Sequence, residues 1–284
     1  MGKKLMILTL LMAVVAAARV DARERGRDRE NCTGRRSDDG LVVIGLTVDQ
    51  RLVCFEEDDP EKARNLGPLS GFTGDTSLVG IDFRPATGEL YGLGNAGGIY
   101  VIDVATAAAT FKSQLSVMLA GASFGVDFNP TVDRLRVISD TGQNLRVNVD
   151  TGVAAVDAVL NYPAAATGVT GAAYTNNDAD SNTATTLYDI DSVLDQVVIQ
   201  APPNNGSLNP TGKLTVDGTD AVGFDIYSKL RNGATLEVDA FASLTTNGRS
   251  RFFRINLATG QARQRGAFRS RDRVVDIALP LNQR

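Results

Sequence analysis

The sequence has no histidine and no tryptophan, and only two of its 284 residues are cysteine. Each absence removes a chemistry. Without imidazole there is no Ser-His-Asp or Cys-His nucleophile system, no histidine-held zinc and no His-ligated haem. Two cysteines cannot supply a four-thiolate zinc or iron-sulfur site. The lack of tryptophan weakens a sugar-stacking cleft, for which Tyr91, Tyr100 and Tyr188 remain. Carboxylates become the leading acid-base candidates, so the composition leans against an enzyme. What is present, 43% hydrophobic and 22% charged residues, is too apolar for a disordered chain and long enough for one large or two ordinary domains.

The N-terminus reads as an address. Lys3 and Lys4 precede an apolar run from Leu5 to Ala18, with small residues at Ala16-Ala17-Ala18 and Val20-Asp21-Ala22. This is the order of a secretory signal peptide, cleaved after Ala18 or Ala22, and the run is short for a bilayer span of ~20 residues. Residues 1–22 are assigned to the signal. Residues 23–40 alternate Arg with Asp and Glu and form a polar charged tail that cannot bury enough surface to fold alone. No later stretch is long and apolar enough to span a membrane. A protein released outside the cell, or into the periplasm of a Gram-negative source, is expected. In that oxidising setting Cys32 and Cys54 are expected to join, tying the tail to the first strands. Asn31-Cys32-Thr33 and Asn205-Gly206-Ser207 fit the N-glycosylation pattern.

Beyond Leu41 the chain turns to short alternating apolar runs separated by Gly, Asn, Asp and Pro, the pattern of strands. Only Asp58 to Leu66 and Ala105 to Ala120 permit a helical turn or two. Within this all-β pattern a unit repeats. Gly80-Ile-Asp-Phe83 recurs as Gly125-Val-Asp-Phe128, Gly171-Ala-Ala-Tyr174, Gly223-Phe-Asp-Ile226 and Val274-Val-Asp-Ile277. The periods are 45, 46, 52 and 51 residues, as expected of propeller blades. A second strand follows eight residues after Asp82 and Asp127, and a third ends in turns at Asp103 to Thr106, Asn148 to Gly152 and Asn256 to Gly260. Each unit reads as four antiparallel strands, A to D. The last unit stops after strand A, and Ile44-Gly-Leu-Thr47 and Leu52 to Glu56 align with strands B and C of the other units. Residues 41–284 therefore predict one five-bladed β-propeller, with six blades as the alternative, whose ring closes by N-terminal strands pairing with the C-terminal strand.

The segments Leu78 to Leu93, Phe124 to Val137, Ser139 to Asn148 and Pro202 to Leu208 closely resemble the mostly bacterial secreted family catalogued as domain of unknown function 4394. The resemblance covers about residues 41 to 280 and leaves the tail outside. It implies an exported, propeller-like protein and brings no established activity and no assigned catalytic residues.

The candidate site residues are carboxylates. Asp82, Asp127, Asp225 and Asp276 occupy one position of strand A in four of five units. They could gather near the propeller axis to bind a cation or work as acid and base. The favoured reading is structural: each accepts backbone N–H groups and ties its blade to a neighbour. The third unit has Ala173 there, and its A-to-B connection is six residues longer, Asn176 to Asn182. Asp178, Asp180 and Asn182 alternate as hard oxygen ligands and make a candidate calcium loop, though the glycine and the distal glutamate of an EF-hand are missing. Asp189, Asp191 and Asp195 could complete such a site only if the loop folds back. No other cofactor is expected, and no catalytic residue is assigned.

Charge is uneven: residues 41–245 hold 11 Lys and Arg against 25 Asp and Glu, whereas residues 246–284 hold 9 Arg against 2 Asp. Arg263, Arg265, Arg269, Arg271 and Arg273 read as a solvated edge or as a polyanion-binding stripe. The acidic remainder argues against nucleic acid. The expectation is a secreted, monomeric, non-catalytic binding or structural propeller whose partner is an extracellular ligand or matrix component. The alternative is a carboxylate- or calcium-dependent hydrolase or lactonase-like propeller.

Overall fold

The computed structural model describes Cys32 and residues 40–283, except 177, 219, 220, 232, 233 and 282. The signal assignment and Asn31, like the rest of the tail apart from Cys32 and Gly40, fall outside the described residues. The chain opens with β1 (Val42–Thr47), β2 (Arg51–Glu56) and β3 (Arg64–Pro68). Blade 1 follows as β4 (Leu78–Phe83), β5 (Leu90–Gly94), β6 (Gly98–Asp103) and β7 (Ala108–Gln114). Blade 2 is β8 (Phe124–Asn129), β9 (Arg134–Ser139), β10 (Asn144–Val147) and β11 (Ala154–Val156). Blade 3 is β12 (Val169–Tyr174), β13 (Leu187–Asp191), β14 (Gln196–Gln200) and β15 (Leu208–Lys213). Blade 4 is β16 (Val222–Arg231), β17 (Ala234–Thr246), β18 (Arg249–Ile255) and β19 (Ala262–Ala267), and β20 (Val274–Ala278) ends the chain.

The described strands form five four-stranded antiparallel sheets arranged as a five-bladed propeller. The fifth sheet, blade 5, has the order β20-β1-β2-β3, with Ile44 opposite Ala278 and Leu46 opposite Asp276. Last strand and first strands share one blade, so the sheet edge that an open ring would expose is paired. Cys32 and Cys54 form a disulfide that pins the tail to β2.

Each sheet is covered on both faces by its neighbours, which is why apolar residues point both ways along the inner strands. The core is correspondingly divided among the blade-to-blade contacts. Blade 5 meets blade 1 through Ile44, Leu46, Ile81 and Phe83, and blade 4 meets blade 5 through Phe241, Phe252, Val43 and Phe55. At the latter, Phe55 stands edge-on to Phe252 and Phe268, each at 5.0 Å. Of the two stretches that permit helix, the first holds a single 3-10 turn, Pro60–Lys62. The alanine-rich second holds strand β7, and Ala107 and Ala109 are buried in the core shared with blade 5.

The turns that end strand C share one device. Asp103, Asn148 and Asn256 each use Oδ1 to accept the N–H two residues on, from Ala105, Asp150 and Ala258. This is the Asx turn that the sequence repeats at these positions.

Candidate functional site

The repeated Gly-x-Asp of strand A sets the geometry of the axis. A Cβ on Gly125 would fall 2.7 Å from the Ala172 nitrogen and 2.8 Å from the Gly171 carbonyl carbon, and one on Gly80 would fall 2.4 Å from Val126 Cγ2. Only glycine lets neighbouring inner strands approach so closely. The aspartate two residues on is thereby brought within reach of the next blade.

All four repeated aspartates are buried and bridge blades. The N–H of Phe128 donates to Asp82 Oδ2 at 2.7 Å, and that of Tyr174 to Asp127 Oδ1 at 3.0 Å. The Leu279 N–H donates to Asp225 Oδ2 at 2.5 Å and the Ile81 N–H to Asp276 Oδ2 at 2.7 Å, which carries the chain of contacts across the closure. Asp82, Asp225 and Asp276 also accept the N–H of their own following residue. Asp127 Oδ2 accepts no such bond among the described residues. Blade 3 breaks the series, since Ala173 packs into the apolar contact with blade 4.

Carboxylate oxygens of Asp82, Asp127 and Asp225 come within 4.8 Å of one another. Burial pushes the carboxyls of Asp82, Asp127 and Asp276 well above the usual range, and like charge from the neighbouring aspartates adds to it. Burial likewise raises Asp225 to about 7, against the opposing pull of the Leu279 and Ile226 N–H groups. Chemically the cluster can share protons or hold a hard cation. It offers no exposed carboxylate to a substrate.

The loop residues are disposed differently. Asp178 Oδ1 accepts the N–H of Asp180, Asp180 Oδ1 accepts the N–H of Asn182, and Thr183 Oγ1 donates to Asp178 Oδ2. These oxygens brace their own turn. Asp189, Asp191 and Asp195 have other surroundings. Asp191 accepts the Tyr162 hydroxyl and the Val193 and Leu194 N–H groups, and Asp195 accepts the N–H of Gly218. Asp189 is fully buried at the blade 2–blade 3 contact, where burial drives its carboxyl well up and the charge of Arg136 works against this.

One expectation about the tyrosines is revised. Tyr91 and Tyr100 cannot stack on a ligand because both are buried, their hydroxyls bonded to Arg84 and to Asp75. Of the arginine stripe, Arg265 pairs with Glu57, whereas Arg263, Arg269, Arg271 and Arg273 are exposed, Arg271 beside Asp272. Sequence reading missed the Arg84 centre, which binds Asp133 and Asp150 and joins blade 1 to blade 2, and the fully buried Arg136, which binds Asp157, Asn144 and Asn204. Neither arginine recurs in the neighbouring unit, which has Asn129 where the first has Arg84 and Tyr91 where the second has Arg136, so the repeat carried no signal for them.

Residues 51–278 match the family described as Domain of unknown function (DUF4394). No curated protein matches the sequence. Among solved structures, a protein of unknown function from Bacteroides thetaiotaomicron VPI-5482 is similar at 16% identity and TM-score 0.44, over 81% of this chain and 58% of that one. An auxiliary nutrient binding protein from the same organism is similar at 12% identity and TM-score 0.45, over 79% of this chain and 56% of that one. Another auxiliary nutrient binding protein, from Bacteroides ovatus ATCC 8483, is similar at 16% identity and TM-score 0.38, over 60% and 46%. The chain thus spans 46% to 58% of the length of these three structures. Likeness at this level says nothing of function.

Proposed function

The chain belongs to the family described as domain of unknown function DUF4394, and from that premise we propose a secreted, non-catalytic binding or structural propeller that acts on an extracellular ligand or matrix component. One observation carries the reading. The carboxylates that would have to serve as acid and base are buried and committed to backbone N–H groups of the adjoining blade. The Cys32–Cys54 disulfide supports an oxidising compartment, extracellular or periplasmic. Chromogenic esters, lactones and glycosides are expected to show no turnover above buffer, with or without calcium. Turnover that Asp127→Asn abolishes would overturn the reading in favour of a carboxylate hydrolase.

A second reading concerns calcium and is favoured by the approach of Asp82, Asp127 and Asp225 to within 4.8 Å. Oxygen ligands of calcium stand at about 2.3–2.6 Å from the ion, so a trio this close can share one. The Asp178, Asp180 and Asn182 loop is the other candidate. Millimolar calcium would raise the melting temperature and chelator would reverse it. Loss of that shift in Asp127→Asn assigns the axis, loss in Asp180→Asn assigns the loop, and no shift sinks both.

A further inference from the structure

Blade 4 departs from the others. Its inner hairpin runs to Arg231 and Ala234, whereas β18 pairs with β17 only from Ala240 to Thr246. The outer part of the hairpin is thus an arm without a third strand beside it. At its base lies a cavity of about 450 Å³ lined by Val238, Ile255 and Leu257 together with Arg254, Asn256 and Arg263. Arg254 and Arg263 are directly opposed across β18 and β19. Like charges so placed destabilise an antiparallel pair unless something neutralises them. Arg254 is offset by the buried carboxylate of Asp239. The Arg263 guanidinium has no ion pair or hydrogen bond among the described residues, and the residue is exposed. Asn256 turns Oδ1 to the N–H groups of Ala258 and Thr259, which leaves its Nδ2 hydrogens unspent.

We propose that this cavity is a binding site for a small carboxylate-bearing ligand, with Arg263 as its principal contact. A guanidinium presents two parallel donors that match a carboxylate, and here a second guanidinium and a carboxamide flank it. Val238, Ile255 and Leu257, which line the same cavity, suit a ligand body that is partly hydrophobic, a ring or a short aliphatic chain. The proposal rests on the reading of the propeller as a binding module and names the ligand class for it.

The test uses the full chain, labelled with ¹⁵N, and four probes: benzoate, glucuronate, and their neutral counterparts benzamide and glucose. Benzoate and glucuronate are expected to shift the amide signals of Ile255, Leu257 and Arg263 saturably and competitively, while the neutral probes do not. Arg263→Gln is expected to weaken both carboxylates at least tenfold and leave the melting temperature of the free protein within a degree. Arg263→Lys is expected to restore part of the affinity. Arg254 is spared because removing it would strand Asp239. Equal shifts with the neutral probes, unchanged affinity in Arg263→Gln, or no saturable shift at tens of millimolar would overturn the proposal. So would inorganic sulfate that binds as tightly as benzoate, since the cavity would then read charge alone. Any of these leaves the non-catalytic reading standing, because that reading falls only to turnover.

Discussion

Asp82 accepts two backbone N–H groups, one from its own strand and one from the next blade, in a position closed to water. Stranding a buried donor costs about 1–3 kcal/mol. Asp82→Ala strands both and is expected to lower unfolding stability by about 2–6 kcal/mol in urea. Asp82→Asn keeps one acceptor oxygen and removes a charge near Asp127 and Asp225, so its loss should be smaller. An alanine variant as stable as the asparagine one would show that the carboxylate does not stitch the blades. The recurrence of this aspartate was legible in the sequence because a repeat displays every copy. Its partners were not, since Ile81 and Asp276 are 195 residues apart and meet only after closure. Tyr91 and Tyr100 show the converse error: type alone made them candidates for stacking, and burial removed them.

At the level of strands, the glycine that opens four of the five repeats fixes how closely neighbouring blades pack. Gly125→Ala would press a methyl group against the backbone of Gly171 and Ala172, which has no rotamer to yield. Overpacking of this kind costs about 1–3 kcal/mol, and the variant is expected near the upper end, read as a lower denaturation midpoint. A midpoint equal to wild type would mean that the blades can separate freely. The closing unit has Val274 in place of the glycine. Room for it comes from Gly45 on the paired strand, where a Cβ would stand 3.1 Å from one Val274 methyl. The two elaborated connections also meet, since the N–H of Asn176 donates to Ser228 Oγ at 2.7 Å and braces the blade 3 loop against the blade 4 arm.

For the whole molecule, the buried axial carboxyls set the response to acid. Their folded values exceed the unfolded value of about 4, so their stabilising contribution is complete below it and is lost as pH rises through the folded values, about 7 for Asp225. Asp150 acts the other way. Hydrogen bonds from Arg84 and Lys112 hold its carboxyl at about 2, so its contribution is present above the unfolded value and fades as pH falls toward 2. The melting temperature is therefore expected to be higher at about pH 5 than at about pH 8 and to drop again below about pH 4. A steady rise from pH 5 to pH 8 in metal-free buffer would contradict the axial geometry. Asp82→Asn should flatten the decline.

Propeller, blade number, strand order and closure were written in the sequence, because a blade is a local object: four short strands, their Asx turns and the period between them all lie within about fifty residues. The pairing of Cys32 with Cys54 was legible for the same reason, as the only two thiols in the chain. What the tertiary structure decided is convergence. The approach of Asp82, Asp127 and Asp225, the burial of Asp189 against Arg136, and the cavity at Arg254 and Arg263 follow from the ring's curvature and from where one blade's face meets the next. Strand periodicity says that a side chain points out of its sheet. The neighbouring blade determines what it meets.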